Sequence, residues 1–431
     1  MLRANVLRAG LSRVIGLVTG VAFAFTLSGC GQDAPPPKPK AEAPKPPAIV
    51  TVRIGSASPL TGPQAHIGID IRNGVQLAIE DANAANVEIG GSKIQFELVA
   101  EDDEANPTKA TTVAQKLVDA KVAAVVGHFN SGASIPASKI YSDAGIPQIS
   151  PSSTNPKYTL QGFKTTFRVV AHDDQQGPTL GRFATGNLKA KAIAVIDDST
   201  AYGQGLADAF EATAKAAGAK MVAREHTTDK DNDFKAILTK IKGKKPDLVM
   251  FGGIDPQAGP MVKQMAQLGI KAKYIGGDGM QTPNFIKLAD KYSEGVMASM
   301  PGLPKEKMPG GKAFLEKYKT KFNAEVELFA PMGYDAVMVF IDAMKRAGST
   351  DPAKFLPEVG KTRLDGVIGP IAFDEKGDLV NGPITIYVVK GGKWEPLETV
   401  TPGGAAEAKP AEAPMAAPAD KPAAAPAAEK K

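Results

Sequence analysis

Residues 124–156, AVVGHFNSGASIPASKIYSDAGIPQISPSSTNP, decide the fold. The apolar, β-branched run Val122–Val126 has the length of a buried parallel strand. His128-Phe129-Asn130 breaks that run, and Ser131 stands where a helix N-cap belongs, with Ser134 as the neighbouring candidate. Helical spacing over Ala133–Ala144 closes on Gly145, and a second short strand, Ile146–Ser150, leads straight into Pro151-Ser152-Ser153-Thr154. This is two βα units in succession. Loops that follow parallel strands open on one rim, which is where open α/β sheets bind ligands. The hydroxyls of Ser131, Ser152, Ser153 and Thr154 gather there with free N–H groups at helix starts. Such a rim suits a small anion, such as a carboxylate, held without a formal positive charge. Ordinary caps and turn residues are the alternative for each serine taken singly.

Outward from this stretch the same alternation continues. Strand-like runs at Val50–Ser56, Ile94–Ala100 and Thr165–Val170 interleave with helix-like segments near 68–84 and 108–120. A second series restarts at Ala192–Ile196 and runs through strands near 221–226, 248–252 and 273–275. Right-handed βαβ units in two lobes, each with a doubly wound parallel sheet, follow from this pattern. Beyond the strand Gly295–Met300 the chain is mostly helical, and two strands, Ile368–Phe373 and Ile384–Val389, finish it.

The ends differ in kind from this body. Arg3, Arg8 and Arg13 precede an apolar run, Val14–Leu27, too short for a comfortable membrane span. Leu27-Ser28-Gly29-Cys30 then brings small residues up to the one cysteine of the chain, and this resembles a bacterial lipobox. Residues 1–29 read as a lipoprotein signal peptide and Cys30 as the acylated N-terminus. A lone cysteine rules out an internal disulfide framework. Residues 30–49, rich in Pro, Ala and Lys, form a tether on the order of 60 Å long in polyproline II geometry. Residues 399–431 are an Ala/Pro-rich tail expected to be disordered. Without the leader's three arginines the net charge of +5 drops to +2, which gives no argument for nucleic acid.

A search for catalysis finds little. The four histidines, His66, His128, His172 and His226, lack zinc spacing. No nucleophile elbow or Walker A motif occurs, and the acidic run Glu101–Glu104 reads as a solvated loop. No enzyme, metal or cofactor is expected. Two spots in the second lobe carry more weight: Tyr202, in DDSTAYGQG, and Asp278, flanked by glycines in GGDG. A carboxylate there is accessible to an ammonium, although a plain turn aspartate gives the same pattern. Hydroxyls on one lobe and a carboxylate on the other match the zwitterionic head of an α-amino acid.

The opening stretch, together with IGSASPLTGPQAHIG, GVQLAIEDANA, DDQQGPTLGRFA, DLVMFGGIDPQ, IGGDGM and FDEKGDL, resembles the leucine/isoleucine/valine-binding proteins of bacterial ABC transporters. The resemblance implies a type I periplasmic binding protein: two lobes joined by three crossovers, closing on a ligand. Lobe 1 would comprise 50–172 and 301–378, lobe 2 173–300 and 379–398. It places ligand contacts at Ser131, Ser152, Ser153 and Thr154, an ammonium partner at Asp278, a tyrosine over the ligand at Tyr202, and side-chain contacts at Ile67, Phe129, Asn130, Ile254 and Phe329. The family members resembled carry Glu at the place of Asp278 and tyrosines near Ile67 and Ile254. A shorter acid and two lost phenols make the pocket wider and more apolar, suiting a branched-chain or other apolar amino acid. The implied partners are an inner-membrane permease and, through Cys30 alone, a membrane; a periplasmic monomer is the expectation. An amide, short-chain acid or aromatic acid as ligand, or a tethered sensor role, are the alternatives.

Overall fold

The computed structural model describes residues 48–401. The leader, Cys30, the tether as far as Pro47 and the tail from Pro402 lie outside the described residues.

The first sheet is built from β1 (Ile49–Ser58), β2 (Glu88–Ile89), β3 (Ser92–Asp102), β4 (Ala124–Gly127), β5 (Gln148–Ser150) and β6 (Thr166–Arg168). Its order is β2-β3-β1-β4-β5-β6, parallel except for the small edge strand β2. The second sheet takes β7 (Ala192–Asp197), β8 (Lys220–His226), β9 (Leu248–Gly252), β10 (Lys273–Gly276) and β11 (Met297–Pro301) in the order β11-β10-β9-β7-β8. In both sheets the first strand of the series lies inside the second, and the order then reverses. Each sheet therefore has a topological switch point, where loops at the carboxyl ends part to leave a crevice.

Helices α1 (Ala65–Ala84), α2 (Pro107–Asp119), α3 (Ser131–Asp143) and α4 (Lys157–Leu160) connect the first sheet. Helices α5 (Asp173–Gly186), α6 (Ala201–Ala216), α7 (Lys235–Lys244), α8 (Asp255–Gln267) and α9 (Pro283–Ala289) flank the second. The chain then returns to the first sheet with α10 (Gly311–Phe322), α11 (Ala330–Ala347) and α12 (Pro352–Val359). Asp70 of α1 fixes that return. Its buried carboxylate accepts the backbone N–H groups of Glu327, Leu328, Phe329 and Ala330, and so closes the positive end of α11. A hairpin of β12 (Arg363–Gly366) and β13 (Gly369–Ala372) follows, before β14 (Ile384–Lys390) and β15 (Lys393–Val400) extend the second sheet antiparallel. The backbone thus passes between the sheets three times, after β6, after β11 and after β13.

Several elements depart from the sequence expectation for physical reasons. Helix α5 is masked in sequence by Gly177, Pro178 and Gly181, but Gly177 lets it press on α6, where an added Cβ would stand 2.4 Å from that of Ala209. Strand β15 extends to Val400 in a stretch that reads as mostly polar, because it is an exposed edge strand paired to β14. The run Glu101–Glu104 is not simply solvated. Asp103 is fully buried and its Oδ2 lies 2.6 Å from His128 Nδ1, while Asp102 accepts the N–H of Leu60 and the hydroxyl of Thr61.

Candidate ligand-binding site

The loops after β4 and β5 form a single hydrogen-bonded unit. Ser150 Oγ and Ser153 Oγ both donate to the carbonyl of His128, at 2.9 and 3.3 Å, and Ser152 Oγ donates to that of Phe129 at 3.0 Å. Asn130, not Ser131, occupies the N-cap position of α3, and its side chain makes no cap; Nδ2 donates instead to Gln64 Oε1 at 2.8 Å. Ser131 Oγ accepts the N–H of Asn155, which leaves its own proton free to donate. The N–H groups of Ser131 and Gly132, first in α3, have no acceptor inside the helix. Behind the rim, Arg168 is wholly buried. It donates to Asp378 Oδ1 at 2.6 Å, to the carbonyls of Ser153 and Asn155, and to Thr159 Oγ1, locking the Ser152–Asn155 loop to the third crossover.

The second lobe meets this rim with acids. Asp278 follows β10 and is buried; its Oδ1 accepts Tyr202 Oη at 2.9 Å and Gln176 Nε2 at 2.7 Å. Gly277 makes that arrangement possible, since a Cβ there would lie 2.4 Å from Tyr202 Oη. Gln176 is held in turn by Ser299 and also reaches Asp173, a fully buried carboxyl whose Oδ2 has no partner. Burial pushes the Asp278 carboxyl up to about 6, against the pull of Gln176 and Tyr202. Burial and then the nearby Asp278 charge push Asp173 up to about 8.

Between the lobes lies a narrow cavity lined by Phe129, Asn130, Ser131 and Ser152 from one side and Tyr202, Ile254, Asp278 and Gly279 from the other. Seven of the residues singled out in the sequence therefore share one cavity. Ser153, Thr154, Ile67 and Phe329 lie outside its lining, all of them buried. Ser153 Oγ also pairs with Ser134 Oγ at 2.6 Å, Ile67 packs in the core, and Phe329 backs Phe129 with ring centroids 5.9 Å apart. Thr154 Oγ1 has no hydrogen-bond partner, and its carbonyl accepts the N–H of Asp173.

A family model described as "periplasmic binding protein" matches residues 51–393. The chain belongs to the periplasmic binding protein family. An amino acid binding protein of Pseudomonas aeruginosa is 40% identical over 343 residues, covering 79% of this chain and 90% of its own. A leucine-, isoleucine-, valine-, threonine- and alanine-binding protein of the same organism is 36% identical, with 79% and 90% covered. Among solved structures, the substrate-binding protein of the branched-chain amino acid transporter of Streptococcus pneumoniae, in complex with isoleucine, is 32% identical. It matches with a TM-score of 0.76 over 82% of this chain and 100% of that one. The fold is accordingly the type I periplasmic binding protein fold, with three crossovers.

Three residues that support this cavity of the periplasmic binding protein from behind were not singled out by the sequence pattern. Asp173 and Gln176 were hidden because DDQQGPTLG lacks a clean helical period, so nothing showed that both face Asp278. Arg168 lies in an apolar strand, and only its complete burial marks it as structural. An arginine in such a run is itself the available signal, since burying one demands acceptors.

Proposed function

We propose that this protein is the extracytoplasmic solute-binding component of an ABC transporter and captures an α-amino acid with an apolar side chain. One observation carries the reading. Asp278, a buried acid whose hydrogen-bond donors are the neutral Tyr202 and Gln176, faces the Ser131 hydroxyl and helix-start N–H groups across a small cavity, with a second buried acid, Asp173, behind it. An ammonium supplies the missing charge, and the α3 N-terminus with the free hydroxyl proton of Ser131 receives the carboxylate, with Ser152 beside it in the cavity wall. Phe129 and Ile254 then flank the side chain, with Tyr202 over the ligand. Thr154, Ser153, Ile67 and Phe329 support that shell from behind. The amino acids named for the relatives agree with this polarity. A benzoate-like or short-chain acid would leave the carboxylates uncompensated, and an amide would lack the cation.

Lobe 1 is taken as 50–172 with 301–378 and lobe 2 as 173–300 with 379–398. Ligand that contacts both lobes favours the closed form, which a membrane permease then reads. Cys30 is the proposed lipid attachment, the tether holding a monomeric clamshell off the periplasmic face of a membrane. No turnover is assigned to the site.

A thermal-shift panel of the common amino acids, with amides and aromatic acids alongside, tests the ligand class. A ligand at a hundred times its Kd stabilises the folded state by about 2.7 kcal/mol. A shift with leucine, isoleucine or valine that disappears in Asp278→Ala supports the reading. A shift confined to ligands without an ammonium overturns it.

A further inference from the structure

The lobes also meet outside the cavity. His66, in the first turn of α1, places Nε2 2.9 Å from Asp255 Oδ2, at the start of α8 in the other lobe. Neither residue lines the ligand cavity, although each adjoins one of the sequence-predicted pocket positions, Ile67 and Ile254. Asp255 is fully buried. The same Oδ2 accepts Thr282 Oγ1 and Asn284 Nδ2, both at 2.8 Å, while Oδ1 has no partner. This carboxylate is therefore held rigidly by its own lobe, and the partial neutralisation it receives comes from across the cleft.

We propose that His66 and Asp255 form a latch across the mouth of the cleft, a charge-assisted pair made when the lobes close, which slows ligand release without touching the ligand. The proposal rests on the clamshell reading above and adds residues that set residence time. Opening the cleft separates the partners, because α1 moves with the first sheet and α8 with the second.

The surroundings give the latch a pH dependence. Facing His66 are Asp255 from α8, Glu327 from the segment before α11 and Asp70 from its own helix, with Lys305 beyond Glu327. Burial alone lowers the imidazole pKa, but the hydrogen bond and charge of Asp255, aided by Glu327 and Asp70, outweigh it and raise the pKa above the ordinary histidine value. In the open form the support of Asp255 is lost, while Glu327 and Asp70 stay with His66 in the first lobe. A group whose pKa is raised by closure stabilises closure fully below its ordinary pKa and loses that contribution as pH climbs through the raised value. The latch is strongest in mild acid.

Stopped-flow release of L-leucine from the purified protein tests this. His66→Gln keeps a neutral hydrogen-bonding group and removes the charge. It is expected to speed release about fivefold at pH 6, the scale of a partly exposed ion pair, and to match wild type at pH 9, where the native imidazole is neutral too. His66→Lys restores slow release and flattens the pH profile. His66→Gln combined with Asp255→Asn releases leucine no faster than the faster single variant. Wild-type release by His66→Gln at pH 6, a ratio that does not change with pH, or additive losses in the double variant overturns the latch. Should leucine give no binding signal, the amino-acid reading fails separately. The latch is then read from small-angle scattering of the ligand-free protein, which should be more compact than His66→Gln at pH 6 and indistinguishable from it at pH 9, because protonated His66 favours closure; equal dimensions at both pH values overturn it.

Discussion

The two faces of the cleft solve opposite problems. The face from the first sheet is largely satisfied within itself: Ser150, Ser152 and Ser153 all have their hydroxyl protons engaged by carbonyls, Arg168 is matched by Asp378 and three further acceptors, and the Ser131 proton, Thr154 Oγ1 and the α3 N–H groups stay open. The face from the second sheet is unsatisfied: Asp173 and Asp278 are buried close together with raised pKa values, and one carboxyl oxygen has no partner. A rigid, neutral face can be shaped before the ligand arrives, at no electrostatic cost. An acidic face is held in a costly state until a cation relieves it. The contrast means that ligand shape is judged by the first lobe and ligand charge by the second, and that closure draws on the charge.

The most damaging way to break this contrast is to unbalance the satisfied face. Arg168→Met leaves Asp378 buried without its cation and frees the Ser153 and Asn155 carbonyls. The expected loss of folding stability is about 3–5 kcal/mol, as for other buried pairs stripped of one partner, read by urea unfolding. A loss under about 1 kcal/mol would show that water or neighbouring hydroxyls replace the guanidinium. Next in size is the unsatisfied face. Asp278→Asn is expected to weaken amino-acid binding by about 2–3 kcal/mol, near a hundredfold, which calorimetry measures directly. Above pH about 8, where both acids are ionised, the same substitution should raise the melting temperature of the ligand-free protein, because it removes a buried like-charge contact with Asp173. Loss of binding without that gain would mean that Asp278 is already neutralised in the ligand-free state.

The legibility of the sequence follows the same division. The first face was readable because its chemistry is local: strand, serine-rich loop and helix start lie within 33 residues, and periodicity exposes them. The βα alternation of both sheets was readable for the same reason, whereas the strand order that creates each switch point was not. The second face is assembled from Asp173, Gln176, Tyr202, Asp278 and Ser299, which span 127 positions. Only the two with a local signature, an aromatic after a strand and an aspartate among glycines, stood out. Ser153 illustrates the converse. Its position pointed to ligand contact, but its hydroxyl is engaged by two carbonyls and Ser134, and no local pattern distinguishes a hydroxyl that is free from one already bonded.

Sensitivity to pH sharpens the comparison further. In the ligand-free protein the two acids hold protons up to about 6 and about 8, above the range of the unfolded chain. The native state therefore binds more protons than the unfolded one across that window, and these groups cost the ligand-free protein stability as pH rises through 6 and then 8. An ammonium compensates one charge, so it needs Asp278, the acid that lines the cavity, ionised, and binding displaces its proton. Affinity should be full above pH about 6 and fall about tenfold per unit below it. The latch acts with the opposite sign, so the slope is cleanest in His66→Gln. Affinity that is flat between pH 5 and 8 in that background would mean Asp278 is ionised before the ligand arrives.

The smallest effects belong to single hydroxyls of the satisfied face, and they separate shape from charge. Ser131 Oγ accepts from Asn155 and retains a proton for the ligand, whereas the proton of Ser152 is engaged by Phe129. Ser131→Ala should therefore weaken binding by about 1 kcal/mol, the worth of one hydrogen bond, with no change in its pH slope. Ser152→Ala should act mainly on folding stability, because it frees a buried carbonyl. Both stay far below Asp278→Asn in calorimetry if charge recognition lies with the second lobe. A loss in Ser131→Ala equal to that of Asp278→Asn would reverse the assignment, since the hydroxyl would then be paired with the ligand's charged group in a dry site where the acids contribute little.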